Sequence, residues 1–459
     1  MTLATDPLLA GVETGLPPVE RVARIPAGFA AAGATAGIKA SGRPDLVLIV
    51  AEDGAVPAAA VFTPNRFAAA PVRLSAANLR ATGGGQATAG YARAVISTSG
   101  SANAATGDAG DADQAAIGDH LADALGAPAA QVLHLSTGII GTRLPVDLVT
   151  AGIDRVVEAG LAPTDAALAL AATALRTTDT TTKVSTVVVS VPAASGDGTV
   201  EIRVTGIAKG VGMIHPDMAT MLSVVLTDAT ADPATLHRLL RGAAARTWDQ
   251  LSIDGDTSTN DTVFLLASGT AGAADSASNE DARAALGAAV EAVARDLARQ
   301  QAADGEGATA LITCQVTGAT DDADARAIAR SVISSSLVKA AVHGRDANWG
   351  RVAGAAGNAT LARRAVLEAA GLDAATAGAL AGTPAPLDTA TLRIAIAGHL
   401  VYDGPGGGPV VVDKAAARLS MGGEEVLIRL DLGLGAGSGE AFGCDLTEAY
   451  VRENSEYTT

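Results

Sequence analysis

Residues 209–228 read KGVGMIHPDMATMLSVVLTD. The stretch changes from glycine-containing to apolar along its length, and this change indicates how the chain folds here. The stretch begins with Gly210 and Gly212, which suit a turn because glycine adopts backbone angles that other residues avoid. It ends in the apolar run Leu222–Thr227, whose β-branched residues are typical of a buried strand. The chain is therefore predicted to turn and then enter a buried strand, with Thr220 just before it.

Thr220 is a candidate nucleophile. A threonine hydroxyl needs a base, and a terminal threonine has one in its own α-amine, whose pKa is about 8. This chemistry requires cleavage of the Ala219–Thr220 bond, and the two glycines would allow the unusual backbone that a self-cleaving turn needs. On its own, however, an Ala-Thr pair at the start of a strand is explained as well by the strand preference of threonine.

Beyond this stretch, short β-branched runs recur along the chain and predict further strands. Several alternate apolar and polar residues, as residues 201–204 do, which is the pattern of half-buried strands. The predicted strands are 46–51, 94–98, 184–191, 201–206, 222–227, 262–267, 310–317, 391–397 and 425–432.

Helical periodicity is clearest after Ser278, where Leu286, Val290, Val293 and Leu297 fall on one face. Ser278 and Asn279 provide N-cap chemistry for this helix. Residues 165–176 and 359–370 predict two similar helices. Strands and helices follow in mixed order without a strict βαβ rhythm, which favours a layered α+β fold.

Composition and charge limit the kinds of partner and the cellular location that we expect for this protein. The chain has 459 residues, of which 32 are Lys or Arg and 49 are Asp or Glu, so its net charge is −17. This balance speaks against nucleic acid as a partner. The longest uncharged stretch, 124–142, is interrupted by Pro128 and His134 and indicates protein interior, not a membrane span. Without a visible secretory signal, and with only Cys314 and Cys444, we expect a cytoplasmic protein.

Other conspicuous features have simple explanations. The glycine-rich stretches at 83–90 and 403–410 do not continue as phosphate-binding motifs and are interpreted as surface turns. His215 could be a base, but a His-Pro turn is explained as local structure. Asp254, Asp256 and Asp261 lack the distal glutamate of a calcium loop and are interpreted as turn and network residues. We expect neither a metal nor a cofactor.

Taken whole, residues 209–228 resemble the cleavage site of the ornithine acetyltransferase family, the glutamate N-acetyltransferases of the cyclic arginine route. Further blocks occur in the family's order and span nearly the whole chain. They are PAGF (26–29), GIK (37–39), VFT (61–63), APV (70–72), STGIIG (136–141), TTD (177–179), DGDTSTND (254–261), DGEGAT (304–309), DANWGR (346–351) and CDLT (444–447), which leads to Tyr450.

The resemblance implies a fold, an assembly and a reaction. The fold would be a layered αββα-type sandwich shared with self-processing aminopeptidases. Cleavage would give an α chain, 1–219, and a β chain, 220–459, which together form one active site, with two copies of each chain in a heterotetramer. The enzyme would move acetyl from N-acetylornithine to glutamate through an acetyl-Thr220 ester in a ping-pong cycle. Acetyl-CoA stays open as a second donor.

Residue roles follow from the same resemblance. Thr220 would be the nucleophile for self-cleavage after Ala219 and for acetyl transfer, and Thr137 and Gly138 would stabilise the oxyanion. Lys209 suits a substrate carboxylate and Glu306 a substrate amine. The expected substrate-contacting residues are Thr177, Thr178, Lys209, Thr220, Glu306, Asn454 and Thr459, and the match does not choose between Thr177 and Thr178.

Departures from the family pattern leave the acceptor open. Residues 98–104 read TSGSANA where the family commonly has NSGNANA, and Ala310 replaces a usual lysine. Three alternatives therefore accompany the main hypothesis. One is an N-terminal-nucleophile amidase or aminopeptidase that transfers acyl groups to water. The others are a paralogue of secondary metabolism with a related acetyl donor or acceptor, and an uncleaved acidic binding protein.

Overall fold

The computed structural model describes Leu8, residues 14–215 and residues 221–455, and within them the strands form three sheets. The strands are β1 (Phe29–Ala34), β2 (Leu46–Ala51), β3 (Val56–Phe62), β4 (Ala89–Ala92), β5 (Ala94–Ser101), β6 (Val132–Ile139), β7 (Lys183–Pro192), β8 (Thr199–Lys209), β9 (Leu222–Thr227), β10 (Leu251–Ser252), β11 (Thr262–Ala267), β12 (Leu311–Ala319), β13 (Arg393–Ile396), β14 (His399–Asp403), β15 (Gly408–Pro409), β16 (Glu425–Asp431) and β17 (Gly437–Cys444). The α-helices are α1 (Ala70–Thr82), α2 (Gly107–Leu125), α3 (Val146–Ala159), α4 (Asp165–Leu175), α5 (Pro233–Arg246), α6 (Glu280–Ala303), α7 (Asp322–Ser334), α8 (Ser336–His343), α9 (Trp349–Ala356), α10 (Arg364–Ala369), α11 (Ala374–Leu380), α12 (Lys414–Ser420) and α13 (Glu448–Ser455).

Two of the sheets pack face to face. Sheet I has the order β1-β2-β5-β6, and sheet II has the order β4-β3-β11-β9-β8-β7. Val47 and Ile49 of sheet I share one buried cluster with Val224 and Phe264 of sheet II. The strand that the opening stretch predicted, β9, lies inside sheet II between β11 and β8. It is buried along its whole length, as its continuous apolar run indicates.

Helices cover both outer faces of this pair. In β2, Leu46 and Leu48 point away from sheet II and pack with Ile117 of α2 and Ile153 of α3. Because successive strand residues face opposite sides, a strand buried on both faces is continuously apolar, which explains the sequence LVLIVA. Helices α5 and α6 cover the outer face of sheet II. The four layers confirm the predicted α+β fold of αββα type.

A third sheet adds to the predicted architecture. Sheet III has the order β10-β17-β12-β16-β13-β14-β15 and packs against α7, α8 and α9. Helix α6 connects it to the sandwich, because Leu297 shares a buried cluster with Leu311 of β12 and Phe442 of β17. The predicted apolar face of α6 is fully buried, and Asn279 caps its start by accepting a hydrogen bond from the Ala282 N–H.

Most predicted elements agree with the structure to within a few residues. Strands β2, β9 and β11 match their predicted bounds, whereas the helix predicted over 359–370 is confined to Arg364–Ala369. The reason is local: Leu361 N–H donates to Thr383, and Ala385 N–H donates to Ala359, so these backbone groups pair with a loop instead. Among the described helices, none combines the length and apolar character that crossing a bilayer requires.

Candidate active site

A cavity of about 270 Å³ opens where sheets I and II meet the loops after α4 and α6. It collects residues from distant parts of the chain. They come from the end of β6, the loop before β7, the end of β8, the loop before β11 and helix α13. The lining residues are Ala102, Thr137, Gly138, Ile139, Ile140, Thr177, Thr178, Lys209, Gly212, Met213, Ser258, Thr259, Asn260, Glu306 and Asn454.

Most residues that the sequence nominated for a site line this one cavity. They are Thr137, Gly138, Thr177, Thr178, Lys209, Glu306 and Asn454. Three other candidates, Ala219, Thr220 and Thr459, lie outside the described residues. The roles assigned to all of them stay predictions, but the tertiary structure does bring the described ones together.

The end of β6 has an unusual backbone. Gly138 adopts a φ of +132°, and a Cβ atom there would lie 2.3 Å from the carbonyl carbon of Gly100 in β5. Only glycine fits, because a side chain would collide with backbone that cannot move aside. The pairing of β5 with β6 is irregular at this point. This geometry places Thr137 and Gly138 at the cavity wall instead of within a regular strand.

Lys209, the last residue of β8, brings a buried positive charge to the cavity. Its Nζ donates a hydrogen bond to Thr137 Oγ1 at 3.1 Å. Burial lowers the pKa of Lys209 below its usual value, and the negative charge of Asp179 opposes this shift most strongly. The ammonium group therefore depends on nearby carboxylates to keep its proton.

Glu306 provides the negative charge of the cavity. Its Oε1 accepts a hydrogen bond from Thr178 Oγ1 at 2.9 Å, and its Oε2 accepts one from Asn454 Nδ2 at 3.0 Å. A Cβ atom on Gly212 would lie 2.3 Å from Glu306 Oε2, so the absence of a side chain there allows the close approach. The two threonines thus differ, since Thr178 contacts Glu306 whereas the N–H of Thr177 donates to Asp179 at 3.1 Å.

Behind the cavity, a buried charge network joins three loops. Lys183 Nζ pairs with Asp179 Oδ1 at 2.8 Å and with Asp304 Oδ2 at 2.6 Å. The N–H of Gly210, next to Lys209, also donates to Asp179 Oδ1 at 2.8 Å. Burial alone would raise the pKa of Asp179, but Lys209 and Lys183 outweigh it and lower that pKa to about 2. The network therefore fixes the segments that carry Thr178, Lys209 and Glu306.

The backbone is anchored on both sides of residues 216–220. On one side, the N–H of Ile214 donates to Asp254 at 2.8 Å, and His215 Nδ1 lies 3.1 Å from Ser252 Oγ. On the other side, the N–H of Met221 donates to Asp261 at 2.9 Å. Burial raises the pKa of Asp261 well above its usual range. Asp254 and Asp261 thus make the network contacts that the sequence predicted.

Asn260 is a residue that the site prediction missed. Its Nδ2 donates to the backbone oxygens of Ala102 at 2.7 Å and Ser136 at 2.8 Å, so it ties the loop before β11 to the end of β6. The sequence did contain a signal for a role of Asn260, because this residue belongs to the block DGDTSTND, 254–261. Sequence alone could not show that this block reaches across to β6, since the contact joins residues 124 positions apart in the chain.

The cavity combines the groups needed to hold a small zwitterion. A buried ammonium and a carboxylate face one space, with hydroxyl and amide groups between them. An amino acid derivative carries the opposite charges and could satisfy both ends. The described part of the chain contains no group of three or more His, Cys, Asp or Glu side chains arranged to hold a metal ion.

Curated proteins resemble this chain over nearly its full length, and a solved structure resembles it over less than half. A family model described as the ArgJ family matches residues 30–459. The arginine biosynthesis bifunctional protein ArgJ of Synechococcus sp. is 44% identical over 435 residues, which cover 95% of this chain and 96% of that protein. The ArgJ of Deinococcus radiodurans is 40% identical over 95% of this chain and 97% of its own. A crystal structure of ornithine acetyltransferase complexed with ornithine, from Mycobacterium tuberculosis, is 38% identical, covers 43% of this chain and 97% of that chain, and has a TM-score of 0.36.

Proposed function

Because this chain belongs to the ArgJ family, it is an acetyltransferase of arginine biosynthesis, and we propose that it works through the cavity between Lys209 and Glu306. The proposed donor is N-acetylornithine and the proposed acceptor is glutamate. The observation that carries this proposal is the pair of opposite charges, held by Thr137 on one side and by Thr178 and Asn454 on the other.

We assign the chemistry to Thr220. Its hydroxyl attacks the acetyl carbonyl of N-acetylornithine, the C–N bond breaks, and ornithine leaves with a proton on its nitrogen. The amine of glutamate then attacks the acetyl-Thr220 ester, which restores the hydroxyl and releases N-acetylglutamate. Both steps place negative charge on the acetyl oxygen, and Thr137 and Gly138 would stabilise it with preorganised donors.

Lys209 and Glu306 would bind the substrates and take no part in bond making. Lys209 suits the carboxylate that both amino acids share, and Glu306 suits the amine that N-acetylornithine carries. Asn454 and Thr178 hold the Glu306 carboxylate from two directions, so it need not reorganise when an amine arrives. We keep Thr177 and Thr459 as proposed substrate contacts.

The nucleophile would be generated by self-cleavage between Ala219 and Thr220. The anchors at Ile214 and Met221 support this proposal, because they fix the backbone on both sides of the five residues that include the bond. Cleavage would separate an α chain, 1–219, from a β chain, 220–459. Since Lys209 belongs to the first and Glu306 to the second, both chains would stay together around one cavity. We further propose two copies of each chain in a cytoplasmic heterotetramer.

A labelled-acetyl experiment tests the function. Purified enzyme is mixed with N-acetylornithine labelled in the acetyl group, with and without glutamate, and both the products and the protein fragments are analysed by mass spectrometry. We expect an acetylated 220–459 fragment without glutamate and labelled N-acetylglutamate with it. Release of labelled acetate at the same rate with and without glutamate would instead identify a hydrolase.

A further inference from the structure

The active cavity has an apolar wall that the proposed charge contacts leave unused. Ile139, Ile140 and Met213 line this cavity and are 37%, 41% and 39% exposed. Large apolar side chains that stay open to solvent in a concave site indicate that an apolar group covers them. We call these three residues the apolar wall.

Backbone hydrogen bonds hold Ile139 and Ile140 at the end of β6. The N–H of Ala102 donates to the carbonyl oxygen of Ile139 at 3.1 Å, and the N–H of Gly141 donates to that of Ala104 at 2.9 Å. Ile140 lies between these two hydrogen bonds along the chain. The two isoleucines therefore belong to a preformed surface that needs no rearrangement to receive a ligand.

Met213 has a backbone conformation that residues other than glycine rarely adopt. Its φ is +55°, in the left-handed region. The Asp254 carboxylate accepts hydrogen bonds from the backbone N–H groups of Met213 and Ile214, and these contacts stabilise the turn. Proteins retain such strain mainly at functional sites. A methionine there also adapts to the shape of an apolar ligand, because its side chain is unbranched and flexible.

The apolar wall adjoins the place where the acyl carbonyl of a donor would lie. Thr137 and Gly138 are the proposed oxyanion donors, and Ile139 and Ile140 follow them directly in the chain. Neighbouring Cα atoms are only about 3.8 Å apart. The carbon chain of an acyl group starts at the carbonyl carbon, one bond from the oxygen. A carbonyl oxygen bound at Thr137 and Gly138 therefore brings its acyl chain within reach of the wall.

An acetyl group leaves most of this wall uncovered. Beyond its carbonyl carbon it has a single methyl group, whereas the wall consists of three large side chains. The polar ends of the amino acid have other partners, since Lys209 suits the carboxylate and Glu306 the side-chain amine. Each methylene added to the acyl chain can bury apolar surface against the wall, and one buried methylene corresponds to roughly fourfold in affinity.

We propose that the apolar wall binds the acyl chain of the donor, and that the enzyme transfers short linear acyl groups longer than acetyl, such as propionyl and butyryl, from ornithine to glutamate. The Thr220 hydroxyl attacks the acyl carbonyl, the C–N bond breaks, and ornithine leaves with the hydroxyl proton on its nitrogen. The glutamate amine then attacks the acyl-Thr220 ester, the C–O bond breaks, and a proton from the amine restores the Thr220 hydroxyl. This inference rests on the proposed function, because it uses the same cavity and the same nucleophile.

A series of donors with longer acyl groups tests the inference on the wild-type enzyme. N-acetylornithine, N-propionylornithine and N-butyrylornithine are each supplied with glutamate, and kcat/KM for formation of the N-acylglutamate is measured. We expect KM to fall by up to about fourfold with each added methylene, and kcat/KM for the longer donors to stay within about 10-fold of that for N-acetylornithine. A larger loss of kcat/KM with N-propionylornithine would overturn the inference.

Polar replacements of similar size test the wall itself. Met213→Gln and Ile140→Asn are compared with Leu419→Asn, which changes a leucine that is 81% exposed and does not line the active cavity. We expect the ratio of kcat/KM for N-butyrylornithine to that for N-acetylornithine to fall about 10-fold in both wall variants and to stay unchanged in the control. Because both donors are measured on one preparation, the ratio does not depend on the fraction of enzyme that folds. An unchanged ratio in both wall variants would overturn the inference.

A second pair of donors separates the acyl chain from the ornithine side chain, whose methylene groups are the other apolar part of the donor. N-acetylornithine is compared with N-acetyl-2,4-diaminobutyrate, which is acetylated on the same nitrogen and has a side chain one methylene shorter. If the wall variants change only this second ratio, the wall binds the side chain, and the inference is overturned while the proposed function stands. Failure of the wild-type enzyme to transfer acetyl from N-acetylornithine would instead reject the proposed function itself.

Discussion

The active cavity and the surface cavity lined by Arg345, Lys414 and Arg418 hold their charges in opposite ways. In the active cavity, Lys209 is 5% exposed and Glu306 is 9% exposed, and each has side-chain hydrogen bonds. In the surface cavity, Arg345 and Arg418 are exposed and form no ion pair or side-chain hydrogen bond with the described residues. Buried charges need partners because desolvation is expensive, and those partners also fix their positions. Exposed charges attract ligands but do little for stability.

This difference predicts which substitutions alter the reaction with N-acetylornithine and which leave it nearly unchanged. Residues in or behind the active cavity should alter substrate binding, the chemistry or the folded state, whereas the exposed Arg345 and Arg418 should have little effect on acetyl transfer from N-acetylornithine. Substitutions at Thr220, Glu306, Asp179 and Gly212 test the first of these expectations.

Thr220→Ala removes the proposed nucleophile. We expect this variant to stay uncut and inactive, because the alanine has no hydroxyl for either self-cleavage or acetyl transfer. A denaturing gel and intact mass would show one full-length chain, where the wild type shows 1–219 and 220–459. Thr220→Ser should retain part of both reactions. Wild-type turnover in the alanine variant would contradict the assignment.

Glu306→Gln keeps the shape of the side chain and removes its charge. Loss of a charge-assisted hydrogen bond to the substrate amine should lower kcat/KM for N-acetylornithine about 10- to 100-fold. Steady-state kinetics checks this, with the exposed substitution Glu158→Gln in α3 as the matched control. Equal kinetics for the two variants would show that Glu306 does not bind the amine.

Asp179→Asn breaks the network behind the cavity. One partner of a buried pair is lost, so we expect unfolding to require about 3 kcal/mol less free energy. The Asp179 charge raises the pKa of Lys209, so its removal should lower that pKa further, and the alkaline loss of kcat/KM should move to lower pH. Denaturant titration and a pH profile measure the two effects.

The control for this substitution is Asp197→Asn, in the exposed turn between β7 and β8. It should change neither the stability nor the pH profile. A stability loss in Asp179→Asn with an unmoved alkaline limb would limit Asp179 to a structural role.

Gly212→Ala adds a single methyl group beside Glu306. Its Cβ would lie 2.3 Å from Oε2, so the carboxylate must shift, and we expect the KM for N-acetylornithine to rise about 10-fold. The matched control is Gly423→Ala, where the nearest atoms to a Cβ are 3.8 Å away or more. Equal KM values in the two variants would show that the close contact has no influence on binding.

The sequence predicted secondary structure best where buried positions follow a clear apolar pattern. The continuous apolar run of β2 and the four-residue face of α6 each have one simple explanation, and the structure agrees. Prediction was poorer where backbone groups pair outside helices and strands. Residues 359–363 have a helical pattern, but their hydrogen bonds go to the loop at 383–385, which no local pattern reveals.

The candidate site shows the same contrast between what sequence patterns predict and what only the packing reveals. The sequence named seven residues that line the cavity because its ordered blocks resemble those of one family. It could not decide between Thr177 and Thr178, since adjacent threonines look alike in a motif. Only the fold shows that Thr178 reaches Glu306 while the Thr177 N–H bonds to Asp179.

The α+β class, the family and the residue types available for chemistry could be inferred from the sequence, because periodicity, composition and motifs are properties of neighbours along the chain. Which of those residues come into contact depends on the packing of the folded chain. Lys209 and Thr137 are 72 positions apart, and Thr178 and Glu306 are 128 apart, yet each pair shares a hydrogen bond. Such contacts depend on how sheets and helices pack. For the same reason, only the fold shows that Arg345, Lys414 and Arg418 line one cavity.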